Sequence, residues 1–263
     1  MTAIPTDRVA ALLRELAASL VLPRFCNLQT GEIEEKSPGE LVTVVDRAVE
    51  LALAPRLAAL VPGSRVIGEE ACAADPGLIR SLDDGLVWLV DPIDGTANFA
   101  AGREHFAMMV ALMRDGAALA SWIHAPALGR MAMAEAGAGA AIDGRPLRVH
   151  HDPSLPAVVK TRFLPPELRQ PLDAISPAVL RFHQGCGAAG IEYPDFTDGR
   201  LRFLMYWRTL AWDHVPGTLL AREAGAHVAR LDGSPYRASD GRFGLLVAPD
   251  EESWRQVRSL LPP

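Results

Sequence analysis

The chain has 263 residues, 49% of them hydrophobic, with a formal net charge of -6 and a pI near 5.7. It is long enough to bury a core as one large domain or two small ones, and its acidity argues against a nucleic-acid backbone as partner while a small phosphate bound through metal stays open. Cys26, Cys72 and Cys186 have no C-x-x-C spacing, so neither a zinc site nor a disulfide framework is indicated. The N-terminus lacks a basic start followed by an apolar region and no apolar run approaches a membrane span, so no membrane partner is expected and the cytoplasm is the default location.

From Thr6, a residue type suited to an N-cap, Val9, Leu12, Leu13, Leu16 and Leu20 recur at helical spacing and predict a packing helix. Gly31 to Glu40 is charged and turn-rich, a mobile loop or short hairpin carrying Lys36. Leu41 to Asp46 opens a second helix, with Thr43 as N-cap and Asp46 completing a capping box, and Pro55 should kink or divide that helix. Val66 to Glu70 reads as a short strand ending in the paired acids Glu69 and Glu70.

The run Leu86-Val87-Trp88-Leu89-Val90 breaks into Asp91-Pro92-Ile93-Asp94-Gly95-Thr96-Ala97-Asn98-Phe99, a buried strand emptying into acidic and turn residues. Asp91 and Asp94 cannot both enter an apolar core without a counter-charge, and a hard divalent cation such as Mg2+ suits clustered carboxylates. A helical turn starting near Thr96 would aim the Gly95 and Thr96 amides at the same space, where a phosphate oxygen fits.

Four apolar segments from Phe106 to Ile142, separated by glycine-containing turns, predict an antiparallel meander. Prolines cluster after it, and a soft boundary divides residues 1–148, an N-terminal α+β metal-binding region, from residues 149–263, an α/β region completing the site. Beyond the boundary, Val158-Val159 and Val179-Leu180 are candidate strands around a helix from Pro166, and His150 and His151 read as surface residues. Gly185 to Tyr193 is rich in small residues and suits a closely packed helix. Leu201 to Tyr206 reads as a strand, Asp213 either caps the next helix or serves a site, and two strands and a helix from Glu251 to Leu261 close the chain.

DPIDGTANF resembles the signature of the inositol monophosphatase family of Mg2+-dependent, lithium-sensitive phosphomonoesterases. K-S-P with L-V-T-x-x-D, G-E-E, and W-D followed by E-A-G resemble its other segments, in family order. The resemblance implies an α+β, layered αβαβα fold with an antiparallel N-terminal and a mixed C-terminal sheet, and a homodimer. It implies two or three Mg2+ per site, one on Glu69, Asp91 and the Ile93 carbonyl, a second on Asp91, Asp94 and Asp213. Asp46 and Thr96 would orient the attacking water, Glu69 would join them in catalysis, and Asp94, Gly95, Thr96 and Asp213 would hold the phosphate ester. Asp46 is thus read as cap, catalyst or both. Three positions depart from the pattern: Ala97 and Ala188 stand where hydroxyl residues are frequent, and Tyr206 where animal relatives place an inositol-binding glutamate. Inositol monophosphate or a similar polyol or sugar phosphate is the expected substrate, with histidinol phosphate, a 3'(2'),5'-bisphosphate nucleotide, or a protein-interaction role as alternatives.

Overall fold

A computed structural model describes residues 4–176 and 180–260. Helix α1 (Thr6–Leu16) buries Val9, Leu12, Leu13 and Leu16 as their spacing predicts. Its N-cap is Pro5 rather than Thr6; the Thr6 hydroxyl instead reaches the Glu135 carboxylate at 3.4 Å, a tie to a strand far away in sequence. The charged segment folds as a hairpin of β1 (Ile33–Ser37) and β2 (Glu40–Thr43), turning at Gly39 with φ 77°. Leu41 to Thr43 therefore end a strand, and α2 (Val44–Leu60) starts one residue after its Thr43 cap.

Pro55 leaves α2 a single 17-residue helix. The carbonyl one turn earlier that it deprives of a donor is that of Leu51, a residue 78% exposed, on the solvent side of the helix where a lost hydrogen bond costs least. β3 (Arg65–Gly68) leads directly into the short helix α3 (Glu69–Ala74), so the paired acids begin a helix rather than end a strand. The Glu50 carboxylate accepts from the Glu70 and Ala71 amides, both at 2.9 Å, and supplies the cap that Gly68 lacks.

β4 (Leu86–Asp94) and the short helix α4 (Thr96–Ala100) carry the central motif. β5 (Ala107–Arg114), β6 (Ala117–Ala125), β7 (Arg130–Glu135), β8 (Gly139–Ile142) and β9 (Arg145–Pro146) form the expected meander. The seven-stranded sheet runs β3-β4-β5-β6-β7-β8-β9, antiparallel except at its β3–β4 edge.

In the C-terminal half the elements are β10 (Ala157–Val159), α5 (Pro166–Asp173), β11 (Phe182–His183), α6 (Ala189–Thr197), β12 (Leu204–Tyr206), α7 (Ala211–Glu223), β13 (His227–Ala229), β14 (Leu245–Ala248) and α8 (Glu251–Leu260). Of the residues expected in strand and helix there, Val179 and Leu261 lie outside the described residues; Leu180 is irregular, and the strand forms at β11. The second sheet runs β11-β10-β12-β14-β13 and mixes parallel with antiparallel pairs.

Four apolar interfaces stack these elements into five layers. Helices α1 and α2 cover one face of the large sheet through Leu13, Val49, Trp88 and Trp122, while α6 and α7 fill the space between the sheets through Ile191, Tyr193, Val215 and Leu220. Leu172 of α5 and Trp254 and Val257 of α8 cover the outer face of the second sheet. The order is αβαβα. The middle helices cross closely because α7 has Gly217 against the Tyr193 ring of α6, where a Cβ would overlap the ring.

Candidate active site

The register of β4 explains how two carboxylates three positions apart come to share a face. Side chains alternate along a strand, so Asp91 and Asp94 would ordinarily point to opposite faces. Asp91 pairs with Met109 and Asp94 with Ala107, so β4 spends one more residue than β5 over this interval, a bulge that restores both aspartates to the side facing the C-terminal half. Asp213 arrives there from the first turn of α7. Each of the three offers an oxygen within 4.8 Å of the others, the arrangement of a metal-ligating group.

Bare carboxylates at such separation repel by on the order of 3 kcal/mol per pair at an effective dielectric of about 20. Asp91 is 1% exposed, and its Oδ1 has no hydrogen-bond partner. Burial, then the charges of Glu69, Asp94 and Asp213, push its pKa well up. Burial likewise raises Asp94 to about 7, against the pull of the Gly190 amide, which donates to Asp94 Oδ2 at 2.6 Å. Asp213 is raised by burial and by Asp94 and Glu69. It does not cap α7: the N-cap is Leu210, with no side-chain cap bond. These displacements are what a carboxylate cluster shows when its counter-charge is a cation rather than a protein group, and the all-oxygen donor set suits a hard divalent ion.

Glu69, at the start of α3, stands beside Asp91 although it is not one of the three clustered aspartates. Lys36 bridges it at 2.8 Å and Glu70 at 2.6 Å, bringing the hairpin to the site. Burial works to lower the Lys36 pKa, but the two glutamates outweigh it and the ammonium is held charged. Lys36, Glu69, Asp91, Thr96 and Asp213 line one cavity of about 930 Å3.

Asp46 does what a cap does and more. Its Oδ2 accepts from the Thr43 amide at 2.8 Å and hydroxyl at 2.6 Å, completing the capping box, while Oδ1 faces the Thr96 hydroxyl at 3.1 Å. Burial raises its pKa to about 6, against the Thr43 bonds. The same Thr96 hydroxyl lies 2.9 Å from the Ile93 carbonyl, so its one proton chooses between two acceptors. Gly95 makes the turn from β4 into α4 at φ 83°, and a Cβ there would stand 2.9 Å from both the Ala188 Cβ and the His105 carbonyl. Asn98 of the motif donates to the carbonyls of His105 at 2.6 Å and Cys186 at 2.9 Å, tying the motif to the segment that opens α6.

On the far wall of the cleft, Tyr206 is joined by residues that the sequence does not single out. Glu192, 2% exposed, accepts from Lys160 at 2.6 Å, the Cys186 amide at 2.9 Å and the Tyr206 hydroxyl at 2.9 Å. Arg208 pairs with Glu40 of the hairpin, and Arg162 lies against the Gly39 turn. The one sequence signal was a glutamate amid the small and apolar residues of Gly185 to Tyr193, a place where an unpaired charge is costly and a partner was required.

Five layers enclose an acidic cleft whose three clustered aspartates could hold a metal ion, with a carboxylate–hydroxyl pair at its edge. The inositol monophosphatase family profile matches residues 5–258, and the chain belongs to that family. It is 32% identical over 230 residues to an inositol-1-monophosphatase of Mesorhizobium japonicum, covering 82% of each chain. It is 29% identical to the Nus factor SuhB of Pseudomonas aeruginosa over 98% of this chain and 96% of the relative. The structure of the extragenic suppressor protein SuhB from Bartonella henselae superposes with a TM-score of 0.81 at 23% identity, over 97% of this chain and 96% of that one.

Proposed function

We propose that the chain is a Mg2+-dependent phosphomonoesterase acting on a small phosphorylated polyol or sugar. Family membership supports phosphatase hydrolase activity; the metal and the substrate class are our reading. The observation that carries it is the partnerless buried oxygen of Asp91, set between Asp94, Asp213 and Glu69. Glu69, Asp91, the Ile93 carbonyl, Asp94 and Asp213 would hold the cations. Bound there, divalent ions would neutralise the phosphate, acidify a nearby water and stabilise the leaving oxygen.

The chain's own groups then have distinct tasks. Thr96 and Asp46 orient the water, with Asp46 Oδ1 positioned to take the hydroxyl proton and, through it, to turn the Thr96 lone pairs outward. Gly190 fixes the Asp94 carboxylate, and the Gly95 turn leaves the first amides of α4 open to a phosphate oxygen. The test is phosphate release from a panel of phosphomonoesters with Mg2+ or with chelator. Release only with Mg2+ is expected, and full turnover in chelator would overturn the metal mechanism. The SuhB-named relatives keep a protein-interaction role as the alternative, favoured if the purified chain is inactive on the whole panel yet captures a stable macromolecular partner.

A further inference from the structure

Beside the aspartates the cleft continues into a cavity of about 790 Å3, shared through Asp94, Ala97 and Asp213. This is where the alcohol half of an ester would lie, and its chemistry is opposite to that of the metal-ligand wall. Arg103, Lys160, Arg162 and Arg208 line it, and away from the aspartates the one carboxylate lining it is Glu40. Glu192 sits behind Lys160, and both its oxygens are occupied by Lys160, Tyr206 and the backbone amides of Cys186 and Gly187. Tyr206 spends its hydroxyl proton on that same glutamate. Hence, apart from the aspartates, the described carboxylates at this cavity, Glu40 and Glu192, are already engaged with Arg208 and with Lys160 and Tyr206.

The cations, by contrast, are only partly neutralised. Among the described residues Lys160 is matched by Glu192 and Arg208 by Glu40, while the Arg162 guanidinium has no ion-pair partner. Both guanidinium groups rest on Phe163, Arg208 at 4.3 Å and Arg162 at 5.0 Å from the ring centroid. A ring that supports two guanidinium planes through its face leaves their N–H donors free for an anion. Glu40 shows that an anionic oxygen fits between this platform and the hairpin.

We propose that this cavity selects esters whose leaving group carries a second anionic group, a phosphate or a carboxylate, bound by Arg162 and Arg208 over Phe163. The inference rests on the phosphatase reading and deepens it. A matched ester without that second charge leaves Arg162 unpaired and loses a charge-assisted contact.

The experiment compares kcat/KM with Mg2+ for two matched pairs: fructose 1,6-bisphosphate with fructose 1-phosphate, and 3-phosphoglycerate with glycerol 3-phosphate. A preference of about tenfold or more, carried by KM, is expected for the doubly anionic member of at least one pair, and which pair shows it identifies phosphate or carboxylate. Arg162→Gln should erode that preference, raising KM for the doubly anionic ester much more than for its partner. Equal or reversed preference in both pairs, or an Arg162→Gln effect equal on both members, overturns the proposal. Titration calorimetry in chelator with fructose 6-phosphate against fructose, and glycerate against glycerol, reads the subsite without chemistry. Selective binding of an anionic compound by a protein that releases no phosphate would sink the phosphatase reading and keep the anion site; no selectivity would sink the anion site.

Discussion

The two walls of the cleft are built in opposite ways. The acidic wall hangs on a bulged strand one place in from the sheet edge and on two helix starts, and Asp91 and Asp94 are buried at the floor of the cleft. The basic wall is carried by chain ends just beyond β10 and β12 and by a hairpin, and Arg162 and Phe163 are exposed. Carboxylates crowded in low dielectric store unfavourable energy until a cation arrives, whereas solvated guanidinium groups store little and adapt to what they bind. Chemistry needs the first arrangement and discrimination among leaving groups the second.

The largest effect should come from breaking the acidic wall. Asp91→Asn and Asp213→Asn remove a ligand charge with little change of shape, so kcat should fall at least about a hundredfold. Because Asp213 is not the N-cap of α7, its replacement should leave thermal unfolding in chelator nearly unchanged. Asp91→Asn should even stabilise the metal-free protein, since it relieves like-charge repulsion. Near-wild-type turnover of Asp213→Asn at low Mg2+ would remove Asp213 from the site.

Gly95 tests the join between the walls. Gly95→Ala forces a side chain into a left-handed conformation and against Ala188 and the His105 carbonyl, so a loss of about 2–4 kcal/mol is expected from denaturant unfolding. A stability within error of wild type would mean that the α6 segment retreats freely from the motif.

The pH dependence separates the walls electrostatically. Asp46 at about 6 and Asp94 at about 7 both have folded pKa values above the ordinary carboxylate value of 3.8. The folded protein then binds more protons than the unfolded chain between pH 4 and 7, so stability in chelator should fall as pH rises through that window, by on the order of 5 kcal/mol. Saturating Mg2+ should flatten or reverse the slope, because the cation favours the ionised form. A rising slope in chelator, measured by urea unfolding, would show that the aspartates are already neutralised by protein groups.

How legible each wall was follows from its construction. Asp91, Asp94 and the Gly95 turn interrupt an apolar run within a few residues, so the conflict between burial and charge is visible locally. The capping box of Thr43 and Asp46 is equally local, and the structure adds only its contact with Thr96. Glu69 and Glu70 were placed at a strand end because nothing beside them reveals the Glu50 carboxylate that caps their helix from 20 positions away. Lys160, Arg162 and Arg208 meet Glu192 only after the second sheet forms, and each of these cations alone reads as an ordinary surface residue. The meander and the closing helix show their apolar periods, whereas the one-residue bulge of β4 is a pairing property that a single strand cannot display.

The smallest expected effect concerns the hairpin, which touches both walls: Lys36 holds Glu69 and Glu70, and Glu40 holds Arg208. Glu40→Gln cuts only the second tie. Both members of that pair are about one-third exposed, at 33% each, so solvent screening should keep the stability loss below about 1 kcal/mol. The local consequence is larger than the global one, because β1 and β2 form a two-stranded sheet of their own, and such hairpins are marginal without outside support. Hydrogen exchange at residues 33–43 should therefore quicken while the amides of β4 to β6 stay protected. At the same time Arg208 gains a vacancy for an incoming anion, so KM for a doubly anionic ester should fall while that for its matched partner changes little. If Glu40→Gln left hairpin exchange and both KM values unaltered, the hairpin would belong to the acidic wall alone, held there by Lys36.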